Sequence, residues 1–191
     1  MGQFKVIYAD PPWPYDNPQD NDPSRGGKTY LTMTSDTLRL LPVGRLADKD
    51  CVLFLWATMP KLPLAIDTMI AWGFRYITCA FVWIKTNPKK GEGIYSGLGY
   101  WTCGNAELCL LGKVGSPKRI SRCVKQIVIA PRGRHSEKPD EVRNRIVQLV
   151  GDVPRIELFA RKKTEGWNVW GLEVESDVDV SKALQIVPAI R

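Results

Sequence analysis

Apolar residues fall along the chain in short runs that alternate with stretches of helical spacing. Phe4, Val6, Ile7, Tyr8 and Ala9 form a β-branched and aromatic run that stops at Asp10-Pro11-Pro12-Trp13-Pro14. A buried strand over 4–9 therefore gives way to prolines, which neither continue a helix nor fit a central strand. Residues 16–29 are polar and rich in turn formers, with Gly26-Gly27, and predict a loop. Thr34 or Ser35 caps a short helix through Leu41, and residues 51–58 predict a second buried strand. Leu62, Ile66, Met69 and Ile70 recur at helical spacing within 61–72, with Pro60 or Pro63 at the start and Gly73 as the stop. Residues 75–86 predict a third strand. The glycine-rich stretch 87–104, like 14–30, predicts a mobile loop of the kind that carries function. Strands follow at 107–114 and 124–130, then a helix over 139–150 with Val142, Ile146, Leu149 and Val150 on one face and Gly151 closing it. A last strand spans 155–161, followed by an irregular stretch with Trp167 and Trp170 that ends in a C-terminal tail over 172–191. Strands alternating with helices predict an α/β sheet covered by helices on both faces, in a single domain over 1–191.

Composition narrows the class. With 44% apolar and 25% charged residues in 191, the chain reads as a folded globular protein. Its longest clean apolar run, 51–57, is far too short for a membrane helix, and the start of the chain lacks a signal pattern. The five cysteines form no Cys-x-x-Cys pair and several sit in strand-like runs, so they read as reduced thiols in a cytoplasm. Cys103, Cys109 and His135 have no spacing that matches a zinc site, and no metal is expected. Charge is uneven: residues 85–163 hold 17 basic and 7 acidic side chains, whereas 1–84 hold 8 of each. Lys89, Lys90, Lys113, Lys118, Arg119, Arg122, Lys125, Arg132 and Arg134 lie on expected loops and strand ends, with aromatics interleaved, a pattern suited to a polyanion such as nucleic acid.

The corner at Asp10 carries the candidate chemistry. Ligands of open α/β sheets bind beyond the carboxyl ends of strands, and this corner sits at such an end. Asp10 offers a carboxylate, Pro11 a carbonyl held stiffly by fixed φ angles, and Trp13 a flat face. Two acceptors gripping an exocyclic NH2 would localise a lone pair otherwise delocalised into its ring, so methyl transfer to an amine is the reaction these groups suit.

The sequence resembles the MT-A70 family of S-adenosylmethionine-dependent N6-adenine methyltransferases, whose catalytic signature is Asp-Pro-Pro-Trp after a strand. The resemblance extends through Tyr30-Leu-Thr-Met-Thr, Leu53-Phe-Leu-Trp56-Ala-Thr, Trp83-Ile-Lys85-Thr-Asn87, Glu107-Leu-Cys-Leu-Leu-Gly, His135-Ser-Glu-Lys138-Pro-Asp-Glu and Ile156-Glu157-Leu-Phe-Ala-Arg161, with Trp167 and Gly171 closing the series. It implies a Rossmann-like methyltransferase sheet with permuted motif order, the catalytic motif first and the cofactor strand last. It also implies that Asp10, Pro11, Pro12 and Trp13 are catalytic. Asp10, Lys138, Glu157, Leu158, Phe159, Arg161, Lys163, Leu172 and Glu173 would line the cofactor site. Tyr30, Lys85, Asn87, Trp101, Glu107 and Lys138 would face the target base. Within the apolar strand over 155–161, Glu157 needs a partner such as ribose hydroxyls, unless it sits at the strand end facing solvent or pairing with Arg155. The chain departs from the family at Leu172-Glu173, where relatives have Asn, and at Lys163, where a histidine is usual. The expected substrate is adenine in DNA, favoured over RNA because the chain is short, shows no zinc-finger or RNA-binding module and resembles the compact bacterial and phage members; no residue reads as a dedicated 2′-hydroxyl contact. The alternatives are RNA adenosine, cytosine N4 and a catalytically silent nucleic-acid-binding subunit. No membrane partner is expected, and the expected state is a monomer or homodimer.

Overall fold

The computed structural model describes residues 2–14, 32–87, 93–97, 101–133 and 137–180. Seven strands form one mixed sheet: β1 (Phe4–Ala9), β2 (Ala47–Ala57), β3 (Arg75–Thr86), β4 (Ala106–Val114), β5 (Ile127–Pro131), β6 (Arg155–Leu158) and β7 (Asn168–Trp170). Their order across the sheet is β5-β3-β4-β2-β1-β6-β7. β4 runs antiparallel to both neighbours, and every other pairing is parallel. The carboxyl ends of the six parallel strands and the start of β4 therefore share one edge, called the catalytic edge below because the candidate corner at Asp10 lies on it.

Period-two alternation divides the core. On β1 and β2, Ile7, Ala9, Cys51, Leu53, Leu55 and Ala57 face one side, where helices α1 (Ser35–Leu40) and α2 (Leu62–Ala71) cover them with Leu38, Ala65 and Met69. Val6, Tyr8, Val52, Phe54 and Trp56 face the other side and meet Val142 and Ile146 of α3 (Asp140–Val150). The expected α/β sheet with helices on both faces is what forms. Thr34 caps α1 by accepting from the Thr37 N–H at 3.1 Å. No helix among the described residues is long and apolar enough to cross a membrane.

Several boundaries differ from the sequence reading. β2 begins at Ala47, since Phe4 pairs with Ala47 before a bulge in β1–β2. β5 begins at Ile127, not at 124, and 115–126 become an irregular connection. β6 stops at Leu158 because Phe159 takes φ 61°, a left-handed conformation that ends a strand. The segment expected to be irregular after 161 holds β7, and Val178 and Val180 of the tail pack on the α1–α2 side of the core. In the expected loop 87–104, short bridges join Thr86 to Ile94 and Gly97 to Gly104. Residues 1, 15–31, 88–92, 98–100, 134–136 and 181–191 lie outside the described residues, and with them most of the 14–30 loop, part of 87–104, Lys89, Lys90, Arg134, His135 and the end of the tail.

Candidate active site

β1 delivers Asp10 to the catalytic edge between β2 and β6, because Ala9 is in register with Leu55 on one side and Leu158 on the other. Beyond it the prolines shape a tight corner. The Trp13 N–H donates to the Pro11 carbonyl at 2.9 Å and the Met33 N–H to the Pro12 carbonyl at 2.9 Å. Pro11 thus keeps one carbonyl lone pair for a ligand, since the other serves its own turn. Trp13 packs on the core edge, and its indole Nε1–H donates to the Trp56 carbonyl at 3.1 Å.

Four of the expected site residues meet in one chain of ion pairs. Lys138, just before α3, places Nζ 2.6 Å from Asp10 Oδ2 and 3.3 Å from Glu107 Oε2. The other Glu107 oxygen, Oε1, accepts from Lys85 Nζ at 2.6 Å. Glu107, the second residue of β4, lies directly beside Trp83 of β3, and Lys85 sits two residues further along. The order is Asp10, Lys138, Glu107, Lys85, with alternating charge. Indole faces back both cations: Lys138 Nζ lies 5.5 Å from the Trp56 ring centre and Lys85 Nζ 5.1 Å from that of Trp83.

Electrostatics distinguish the two carboxylates. Burial pushes the Asp10 carboxyl above the ordinary aspartate range; Lys138 pulls against the rise and Glu107 adds to it. Burial also acts to raise Glu107, but Lys138 and Lys85 together outweigh it and hold the group below the usual range. Burial acts to lower Lys138, and the attraction of Asp10 and Glu107 wins, keeping it charged. Among the described residues Asp10 Oδ1 takes no hydrogen bond, and the Asp10 side chain is 27% exposed. One carboxylate oxygen is anchored and its twin remains open to a ligand.

The expected cofactor residues divide. Phe159 reaches the same edge, its ring packed edge-on to Trp170 with centres 5.3 Å apart, and the Ala160 N–H donates to the Trp170 carbonyl at 2.9 Å. A left-handed conformation at a non-glycine residue costs on the order of 1–3 kcal/mol and gathers at functional sites. Arg161 pairs with Glu173 at 3.7 Å, and Lys163 reaches Glu175 and Asp177. The Leu172 side chain is exposed, whereas Leu158 is fully buried in the core and brings only backbone to the edge.

Glu157 corrects the sequence reading. Among the described residues its partner is Arg143 and not Arg155: Arg143 of α3 donates from Nε to Oε2 at 2.7 Å and from Nη2 to Oε1 at 2.6 Å, with both side chains buried. Glu157 points to the α3 side of the sheet, and its two-pronged pair braces α3 against β6. The signal that identifies Arg143 is an arginine on the face of α3 that carries Val142 and Ile146, a position that needs a buried acid opposite.

Of the expected base-facing residues, Lys85 and Glu107 join the cluster, while the Asn87 N–H only donates to the Gly93 carbonyl at 3.3 Å. Trp101 is 99% exposed, and Tyr30 falls outside the described residues. Sequence reasoning missed Tyr95, over which Arg132 stacks at 3.8 Å where β3 and β5 end. Trp56, in the strand expected to be buried, donates its Nε1–H to Tyr8 Oη at 2.7 Å.

The MT-A70 family matches residues 4–173, which include every element of the cluster. The chain belongs to the MT-A70 family. A Type II methyltransferase, M.MunI, from a Mycoplasma species is 36% identical, with 90% of this chain and 78% of that protein covered. An N(6)-adenosine-methyltransferase MT-A70-like protein of Drosophila melanogaster is 32% identical over 84% of this chain and 25% of its own length. The human N(6)-adenosine-methyltransferase catalytic subunit METTL3 is 31% identical over 84% of this chain and 26% of its length. The chain thus spans most of the bacterial relative and about a quarter of the animal ones. The MT-A70 motifs close on the ion-pair chain: Asp10 comes from the first, Lys85 and Glu107 from strand-end motifs, and Lys138 from the segment entering α3.

Proposed function

We propose that this MT-A70 methyltransferase moves a methyl group from S-adenosylmethionine to the N6 amine of adenine in nucleic acid, with DNA as the polymer. The observation that carries this reading is Asp10 on the catalytic edge, with Oδ2 held by Lys138 at 2.6 Å and Oδ1 open, beside a proline-framed carbonyl. Adenine is supported by the relatives described as N(6)-adenosine-methyltransferases, and DNA by the Type II methyltransferase that the chain covers for 78% of its length.

The residues present fit the cofactor. Asp10 suits the ammonium of a methionine moiety, and the paired rings of Phe159 and Trp170 give an aromatic wall next to it. When bound, S-adenosylmethionine supplies an electrophilic methyl on a positively charged sulfur. The protein's task is then to present an amine whose lone pair points at that carbon. Asp10 Oδ1 and the remaining lone pair of the Pro11 carbonyl accept the two N–H bonds of N6, drawing the nitrogen toward tetrahedral geometry. Lys138 holds the Asp10 carboxylate in one orientation, so little reorganisation is needed. Asp10, whose carboxyl is raised by burial, also stands as the acceptor for the proton the amine must lose. N6 is tied up in pairing within a duplex, so the base must leave the stack or come from a single strand.

Labelled methyl transfer to matched DNA and RNA oligomers, single- and double-stranded, followed by digestion to nucleosides, tests the reading. The expected product is N6-methyldeoxyadenosine. Label on cytosine N4, or on RNA alone, overturns the assignment of base or polymer. Absence of cofactor binding at millimolar concentration would favour a silent subunit instead.

A further inference from the structure

The basic excess does not form one track. Lys85 and Arg132 lie at the catalytic edge, but Lys118, Arg119, Arg122 and Lys125 lie at the other end of the sheet. β4 sets the distance: Leu108 pairs with Ala57 near the catalytic edge and Val114 with Cys51 near the far end. Those six steps correspond to roughly 20 Å. The connection 115–126 leaves from the far end.

Residues 113–126 hold five basic side chains and no acidic one. Lys118, Arg119, Arg122 and Lys125 are all exposed, and among the described residues none of the four takes part in an ion pair. The backbone that presents them is nevertheless pinned. The Ser116 N–H donates to Asp50 Oδ1 at 2.7 Å, and the Ile120 N–H to the Leu149 carbonyl at the end of α3 at 2.8 Å. Arg145 Nη1 donates to the Lys125 carbonyl at 2.6 Å and to that of Ile127 at 2.7 Å, and Gln126 Nε2 to the Cys79 carbonyl at 2.7 Å. A twelve-residue connection without regular structure is therefore fixed at both ends and the middle, with its cations turned to water. Long loops of this kind are usually functional.

We propose that 115–126 is a second phosphate-binding site for the nucleic-acid substrate, engaging the polymer's backbone away from the reacting base. The inference rests on the proposed activity for the identity of the polymer. A duplex running along the β5 edge meets Arg132 at the catalytic edge and the four cations at the other, which matches a polyanion with a charge every ~1.7 Å. Phosphate contacts of this kind position the polymer and add affinity without reading sequence. A lipid surface fits less well, because the segment is not an amphipathic helix and offers one large exposed apolar side chain, Ile120.

The test compares the wild type with a variant carrying Lys118→Ala, Arg119→Ala, Arg122→Ala and Lys125→Ala. Binding and methyl transfer are measured on a duplex of about 24 base pairs and on a hairpin with a stem of about three base pairs, roughly 10 Å long and too short to reach the far end from the catalytic edge. The expected result is at least tenfold weaker binding of the long duplex, with the slope of log affinity against log salt shallower by ~0.9 for each phosphate the variant no longer neutralises. Affinity and turnover on the short hairpin should be unchanged, which also shows the variant is folded. An equal loss on both substrates, or an unaltered salt slope on the long one, overturns the second site. So does loss of binding to anionic phosphatidylserine vesicles with duplex binding intact. Wild-type protein inactive on both substrates would defeat the proposed function itself, while the salt slopes would still report on the site.

Discussion

Two ion-pair systems flank the start of α3, and they are built for different ends. Each joins a strand carboxylate to a cation beside that helix: Glu107 to Lys138 at the catalytic edge, Glu157 to Arg143 under the helix. Arg143 and Glu157 close on one another, with both carboxylate oxygens taken by a planar guanidinium whose Nη1 also reaches Asp140 at 2.8 Å. The catalytic chain runs on instead and ends at Asp10 with an oxygen to spare. Burial of charge is common to both; open coordination belongs to one. On the proposed function, reactivity follows the unfilled acceptor and not the buried acid.

The largest effect separating the two systems should be on stability. Arg143→Met leaves the Glu157 carboxylate buried with no counter-charge, and breaking such a pair costs about 3–5 kcal/mol. Urea unfolding should show that loss, and Arg143→Met combined with Glu157→Leu should recover most of it by replacing the pair with apolar contact. A single variant as stable as the wild type would mean that Glu157 finds another partner, and the ribose role would reopen. Asp10→Asn inverts the pattern. It keeps the shape but turns one acceptor oxygen into a donor, so turnover should fall ~10²–10³-fold, as when one hydrogen bond to a transition state is removed. Its unfolding free energy should stay within about 1 kcal/mol of the wild type, since the side chain is already partly in water.

Acid should separate the same two functions. Asp10 has a folded-state value above its unfolded one, so its contribution to stability is present at low pH and is lost as pH rises through that raised value. Glu107 has a depressed value, so its contribution is present above the ordinary carboxylate range and is lost only as pH falls through the lower folded value. Protonation of Asp10 removes the acceptor before Glu107 lets go of its lysines. Turnover should therefore decline on the acid side at a higher pH than the unfolding transition, with both followed in one buffer series. Coincident curves would show that activity is lost through unfolding alone.

What could be read from the chain beforehand follows the same division. Strand runs and the catalytic corner are local signals: β-branched stretches, a Pro-Pro stop and helical spacing lie within a few residues of one another. Among the described residues they located all three α-helices and six of the seven strands. Partnerships are not local. Lys138 lies 128 positions from Asp10, and Arg143 lies 14 from Glu157 across a turn of unknown geometry. Family motifs supplied Asp10 and Lys138 as site residues but not their contact, and nothing in the motif around Glu157 specified which arginine would take it. The three-residue β7 was missed because its pairing with β6 depends on the turn at Phe159, where an aromatic residue adopts φ 61°. The basic residues were legible as a set, but their division between two ends of the sheet depends on β4 running against its neighbours, which composition does not encode.

The smallest effect should come from Trp13, which belongs to both worlds: its Nε1–H binds the Trp56 carbonyl, and its neighbours Asp10 to Pro12 form the reactive corner. Trp13→Phe keeps an aromatic face and removes that single donor. One neutral hydrogen bond contributes about 0.5–1.5 kcal/mol, so the unfolding free energy should drop by ~1 kcal/mol. If the indole serves mainly as a flat wall for the base, turnover should change less than about fivefold while KM rises modestly, and Trp13→Ala should lose far more of both. The two variants distinguish a wall from a hinge. If the phenylalanine form is as inactive as the alanine form yet equally stable, the hydrogen bond to Trp56 sets the angle of the catalytic corner, and the division between bracing and reacting groups fails at this residue.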